Sequence, residues 1–321
     1  MDASTAGTFV REDSGFDSGG VRCAAWVYRP AGVFGVPGVL GVLGVTDGAA
    51  RPVVVMAHGF GGDRRVRLTA FAERFAAAGH VVVLFDYRTF GDSEGTPRRV
   101  LRIRAQHDDY RAAVAFARSL PGVDPARVVL WGTSLSGGHV LAVAAGDPQV
   151  AAVVAQVPHV SGPASALELP PLAAGLLGVR AVADLVRSAL RGRPHYVSSV
   201  GARRSGAVMT SPDALPGWSR MIAESPEYVP APGVVAARAA LAMPFYSPGR
   251  HASSVRCPVL VQIAREDTVT PPAAARRLAA RLPAATVREY DGGHFDPYVG
   301  ERFEEVVADQ VAFLARHLPV A

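Results

Sequence analysis

Short unbroken runs of Val, Leu and Ile recur along the chain, each followed by a stretch in which apolar residues fall three and four positions apart. The runs PVVVMAH (52–58), HVVVLFDY (80–87), ARVVLWG (126–132) and VAAVVAQV (150–157) are apolar on both alternating faces. Such runs predict strands buried on both sides. Between them, residues 65–78, 105–119 and 135–146 have helical spacing, the first stopping at Gly79 and the last ending in Gly146. VRCAAWVYR (21–29) predicts an early strand. CPVLVQIA (257–264), a helix over 273–282, ATVREY (285–290) and a C-terminal helix near 302–317 complete the series. This alternation predicts an α/β fold with a mostly parallel, doubly wound sheet. Right-handed crossovers then gather the strand C-termini on one edge, where ligands bind in open α/β sheets.

The alternation breaks between residues 161 and 250. Pro and Gly punctuate this segment, and helical patches cover 172–190 and 232–243. So long a connection is an inserted unit, because ordinary loops are only a few residues long. It leaves from the C-terminal end of a strand, so it is expected to be a mainly helical lid over the binding edge. The expected division is a core of residues 1–160 and 251–321, with the lid at 161–250. A second interruption, AGVFGVPGVLGVLGV (31–45), is apolar but broken by Gly and Pro, and reads as a low-complexity loop lengthening a hairpin.

Composition changes this picture little. The chain has 321 residues, 49% hydrophobic and 19% charged, enough to bury a sizeable core. The net charge of +5 comes from a chain without lysine, whose 33 basic residues are all Arg. The arginines are spread along helical faces and do not form one basic block, so nucleic acid is not the expected partner. The two cysteines, Cys23 and Cys257, have no metal-ligand spacing. No signal peptide and no membrane-spanning run is visible, and the expected location is cytoplasmic.

The chemistry centres on VVLWGTSLSGGH (128–139). It holds two serines, Ser134 and Ser136, each between small residues. The buried strand runs straight into Gly132-Thr133-Ser134. A nucleophile at that point sits on the sharp strand-to-helix turn, with its hydroxyl above the sheet edge. Ser136 then falls in the first turn of the next helix, where a small residue or a local backbone hydrogen bond is the expected role. Ser134 is therefore the candidate nucleophile.

With this G-x-S-x-small turn between a buried strand and an apolar helix, the chain resembles the α/β-hydrolase superfamily from about Gly20 to Pro319. FDYRTFGDSEG (85–95) resembles the D-x-R-G-x-G-x-S-like segment of the dienelactone-hydrolase-like and Xaa-Pro-peptidase-like esterases, with Thr89 where that branch has Gly. The resemblance implies a triad in the order Ser, acid, His. His294, in the Gly-rich loop YDGGHFDPY, stands where the superfamily's catalytic histidine is found. Asp267 fits the D-x-V-x-P-P pattern after the strand 257–264, with Glu266 the competing acid. Asp291 and Asp296 flank His294 and are expected to serve turns. His107, His139 and His317 fall on helices, and His195 and His251 lie in the insertion.

Acyl transfer also needs donors for a developing oxyanion. The backbone N–H of Phe60, in AHGFGG (57–62), and that of Leu135, at a helix N-terminus, are the candidates. His58 is expected to be structural, and Asp86, Arg88 and Asp92 to form an ion-pair network fixing their loop. No metal or nucleotide motif appears, so no cofactor is expected. The expected activity is cleavage of a carboxylic ester, lactone or thioester through an acyl-enzyme, on a small-molecule substrate with an apolar group. An acyltransferase, cyclising thioesterase or lyase could use the same residues, and a small-molecule receptor could retain them without turnover.

Overall fold

In the computed structural model, described for residues 8–31, 50–203, 205–228 and 233–320, the Val-rich runs pair edge to edge. β1 (Phe9–Asp17), β2 (Arg22–Pro30), β3 (Arg51–Ala57), β4 (Val81–Phe85), β5 (Val123–Thr133) and β6 (Val150–Gln156) precede the long interruption. β9 (Val259–Ala264) and β10 (Ala285–Tyr290) follow it. Together they form an eight-stranded sheet in the order β1-β2-β4-β3-β5-β6-β9-β10. β1 and β2 are antiparallel, as are β2 and β4, and every remaining pair is parallel.

The central strands are buried because helices cover both faces. α2 (Ile103–Ser119), α3 (Leu135–Ala144) and α8 (Pro272–Ala279) pack on one side, where Val53, Val55, Val83 and Leu130 point. α1 (Leu68–Ala77) and α9 (Gly300–His317) pack on the other, against Val54, Met56, Val82 and Trp131. Successive residues of one strand thus serve opposite layers. Each fully buried Val, Leu or Phe contributes about 1.5–3 kcal/mol.

One side of this core carries an amide network. Gln310 of α9 donates to Gln156 of β6 at 2.8 Å and to Gln262 of β9 at 2.6 Å, and accepts from the Trp131 indole at 3.0 Å. Gln262 in turn donates to the Tyr290 hydroxyl at 2.7 Å.

Residues 161–250 hold α4 (Gly162–Leu167), α5 (Pro171–Ala189), α6 (Ala214–Ala223) and α7 (Ala239–Ala242). They also hold an antiparallel ribbon of β7 (Tyr196–Ser198) and β8 (Val234–Ala236). Buried Asp184 ties the segment together. It accepts from the His195 backbone N–H at 2.7 Å and pairs with the Arg238 guanidinium at 2.6 Å.

Two expectations are corrected here, and one strand is added. The patch at 232–243 is not one helix: Val234–Ala236 form β8, because three β-branched or small residues pair better with Tyr196–Ser198 than they continue a helical turn. β1 was not foreseen, since as an edge strand it is mostly exposed and carries little apolar signal. The stretch 31–45 lies, beyond residue 31, outside the described residues. The strands on either side of it, β2 and β3, are separated by β4 and form no hairpin.

Candidate active site

β5 ends at Thr133 and α3 begins at Leu135, so a single residue turns the chain. That residue is Ser134, with φ 54° and ψ −120°, a conformation costly for any residue bearing a Cβ. Its backbone is pinned on both sides: its N–H donates to Gln156 O at 2.9 Å, and its carbonyl accepts from His159 N–H at 2.8 Å. The turn closes only because its neighbours are small. A Cβ at Gly132 would lie 2.2 Å from the Ser136 carbonyl oxygen, and one at Gly138 would lie 2.1 Å from that of His159.

The two serine hydroxyls part company at this turn. Ser134 Oγ lies 3.0 Å from His294 Nε2. Ser136 Oγ is fully buried, donates to the His58 carbonyl at 2.6 Å and accepts from the Tyr87 hydroxyl at 2.5 Å. Its hydrogen bond reaches another strand end rather than its own helix turn.

His294 sits on the loop between β10 and α9, where Gly292 adopts φ 106°. Its Nδ1 donates to Asp267 Oδ2 at 2.7 Å. That bond leaves Nε2 as the lone-pair nitrogen facing Ser134. Asp267, on the loop after β9, is held by three further donors. Val269 N–H at 2.8 Å and Thr270 N–H at 2.7 Å reach Oδ1, and the Thr270 hydroxyl at 2.8 Å reaches Oδ2. All three side chains are buried, at 8, 5 and 2% exposure for Ser134, Asp267 and His294. A carboxylate so held can orient an imidazole without rotating away. Glu266, beside it, is exposed.

The loop after β3 passes close to this turn. A Cβ at Gly59 would lie 3.0 Å from Ser134 Cβ, a contact that forces one of the two to shift, and glycine avoids it. Phe60 follows at once and, with Ser134, lines a cavity on each side of the turn. Leu135 is the first residue of α3, so its N–H lies outside the helix's own hydrogen bonds. His58 donates from Nδ1 to the Gly59 carbonyl at 2.9 Å and packs edge-on against Tyr87. Burial pushes its pKa below the ordinary value.

The ion pairs of the 86–92 loop form with other partners than the loop itself. Asp86 pairs with Arg64, Arg88 with Asp109 at 2.6 Å, and Asp92 with Arg64 and Arg65. Arg88 is thus directed away from Asp86. Thr89 adopts φ 69°, the left-handed region that favours Gly. Asp296 accepts from Gly293 N–H at 2.7 Å and pairs with Arg220, while Asp291 pairs with Arg265.

The larger cavity, about 350 Å³, opens from Ser134 between the sheet edge and the inserted helices. Leu177, Gly178, Leu241 and Met243 contribute apolar surface. A smaller cavity of about 40 Å³ lies on the other side of Ser134, near Trp218, Met221 and His294.

Beside the larger cavity, Tyr246 joins residues of three other segments. Its hydroxyl lies 2.6 Å from His139 Nδ1 and 2.9 Å from His107 Nε2, and its ring stacks on His159 at 5.7 Å. His139 Nε2 is 3.0 Å from Gln106 Oε1. Burial pushes His107 and His159 down to about 4 and lowers His139 well below its ordinary value. No motif announces this cluster, because its members are far apart in the chain.

Comparison with known proteins agrees with this fold. The family described as serine aminopeptidase, S33, matches residues 48–294. The quorum-quenching protein AidA of Acinetobacter baumannii (strain MDR-ZJ06) is 44% identical over 308 residues, spanning 96% of this chain and 95% of that protein. Thiohydrolase aneE of Aspergillus aculeatus is 29% identical over 270 residues, spanning 82% of this chain and 85% of that one. The α/β hydrolase GrgF from Penicillium sp. sh18 superposes with a TM-score of 0.75 at 21% identity, covering 97% of this chain and all of the other. No helix among the described residues is long and apolar enough to cross a membrane.

Proposed function

The chain belongs to the serine aminopeptidase, S33, family of the α/β-hydrolase superfamily, and on that premise we propose that it cleaves a carboxylic ester, lactone or thioester through a Ser134 acyl-enzyme. The observation that carries this reading is the unbroken line of hydrogen bonds from Asp267 through His294 to Ser134, at 2.7 and 3.0 Å.

In this reading Ser134 Oγ attacks the acyl carbonyl while His294 Nε2 takes its proton. Asp267 holds the tautomer and stabilises the imidazolium that forms. The developing oxyanion is met by the N–H groups of Phe60 and Leu135, the latter at the positive end of α3. His294 returns the proton to the departing alcohol or thiol. Water then takes the same path in reverse order and releases the acid.

The segment 161–250 is the lid. The cavity beneath it, walled by Leu177, Leu241 and Met243, suits an apolar acyl group. The likeness to thiohydrolase aneE favours a thioester among the candidate substrates, and the likeness to AidA makes quorum quenching the physiological role to try first.

Acyl transfer to another acceptor is the second reading. Ser134 is only 8% exposed beneath the insertion, so an acyl-enzyme there is shielded from bulk water. Product analysis with and without an added alcohol or amine separates the two.

The primary test is fluorophosphonate labelling with the labelled peptide mapped by mass spectrometry, run beside turnover of p-nitrophenyl esters and thioesters. Label on Ser134 with multiple turnovers supports the proposal. Label elsewhere, or no turnover with any acyl donor, sinks it.

A further inference from the structure

The outer face of α5 carries more apolar surface than a solvated helix keeps. Leu172, Leu176, Val179, Val186 and Leu190 are between 40 and 77% exposed, and Ala183 is exposed among them. Their spacing alternates between four and three, the repeat that lines the seam of two packed helices, while Val182 and Leu185, each 52% exposed, lie outside it. The opposite face is already engaged: Ala173, Leu177, Ala181 and Asp184 are buried against the rest of the insertion. The seam is therefore free and does not serve the fold of its own chain.

We infer that this face is the contact of a homodimer, in which α5 lies antiparallel against α5 of a second copy about a two-fold axis near position 181. That register places Leu172 opposite Leu190 of the second copy, Leu176 opposite Val186, and Val179 opposite Ala183. Every large side chain meets an apolar partner, as a self-complementary interface requires.

Charge agrees with the same direction. Glu168 precedes α5, while exposed Arg191 and Arg193 follow it, so only the antiparallel arrangement brings opposite charges together. Gly175 is exposed in mid-helix, where a Cβ would meet nothing within 4 Å. It costs the lone helix about 1 kcal/mol relative to Ala, and it lets a second helix approach closely. Leu167, just before the helix, is 86% exposed. A lipid surface would bury the same residues, but it imposes no four-three register and gains nothing from Glu168.

Sedimentation equilibrium of the full chain, from sub-micromolar to tens of micromolar, tests this directly. The expected result is a monomer–dimer equilibrium that Val179→Glu/Val186→Glu weakens by at least about 100-fold, since buried unpaired charges oppose association. Both side chains are exposed and line neither cavity, so ester turnover of this variant should match the parent, and its thermal melts should match at concentrations where both chains are monomeric. The register is read by oxidative cross-linking. Leu172→Cys/Leu190→Cys should give a covalent dimer on non-reducing gels, and Leu172→Cys alone should not. A chain that is monomeric throughout overturns the inference, as does a dimer indifferent to the two glutamates or one cross-linked by Leu172→Cys alone. Monomers that co-sediment with phosphatidylglycerol–phosphatidylcholine vesicles, and lose that binding in the glutamate variant, would instead assign the face to lipid.

Discussion

Ser134 and Ser136 stand two residues apart, yet one hydroxyl faces the His294 imidazole and the other is consumed by the His58 carbonyl and the Tyr87 hydroxyl. The difference is geometric: the chain reverses between them, so their side chains leave the turn toward different layers.

Ser134→Ala should lower kcat with p-nitrophenyl esters by about 10⁴–10⁶-fold, with Tm unchanged or raised, because the strained residue loses its hydroxyl and keeps its fold. Ser136→Ala should do the reverse. It leaves the Tyr87 hydroxyl and His58 carbonyl short of a partner in a buried site, at a cost of about 1–3 kcal/mol, while fluorophosphonate labelling persists. Loss of labelling in Ser136→Ala alone would transfer the nucleophile's role.

Asp267→Asn keeps the volume and, with its oxygen at the Oδ1 position, the bonds from the Val269 and Thr270 backbone N–H groups, and it presents an N–H to His294 Nδ1. The imidazole then favours the tautomer with its proton facing Ser134. A fall in kcat of about 10⁴-fold is expected, with KM little changed. Glu266→Gln, on the exposed neighbour, should change kcat by less than about twofold. Equal losses in the two variants would remove Asp267 from the mechanism.

Gly178 lines the larger cavity, and a Cβ there would meet nothing within 4 Å. Gly178→Leu should therefore fit without strain and fill part of the acyl space. The longest acyl chain accepted should shorten, while acetate esters retain their kcat/KM. The helix gains about 1 kcal/mol of propensity, so Tm should not fall. An unchanged chain-length profile would place the acyl group elsewhere.

Acid should loosen the Tyr246 cluster. His107 and His159 are pushed down to about 4 by burial, against an ordinary value near 6.5. Between those values the unfolded chain binds more protons than the folded one, so stability falls as pH drops from about 6.5 to about 4 and is flat above. A side chain as buried as His159 accounts for up to about 3 kcal/mol of that loss. Thermal melts across this range check it. His159→Gln should flatten the slope, and an unaltered slope would assign the acid sensitivity to other groups.

The parallel strands, their order of helices and the serine turn were legible because each rests on local signals: continuous Val runs, 3.6-residue spacing and small residues at a crowded turn. Asp267 and His294 were legible as candidates only through their place after strands, a resemblance rather than a local pattern. The ribbon of β7 and β8, the Asp184–Arg238 pair and the Tyr246 cluster were not legible. Each joins residues far apart in sequence through contacts that exist only once the insertion has folded. The ion pairs expected of Asp86, Arg88 and Asp92 are present, but their partners, Arg64, Arg65 and Asp109, lie on other segments that no local pattern names.

The loop that carries His294 is gripped at both ends by the same chain of amides. At one end Gln262 holds the Tyr290 hydroxyl, and at the other Gln310 fixes α9 against β6 and β9. Sliding α9 by one residue would turn Gln310 by about 100° and strand several buried amide atoms at once. The network works as an alignment key. It converts the correct seating of a distant helix into the ångström-scale placement of one imidazole.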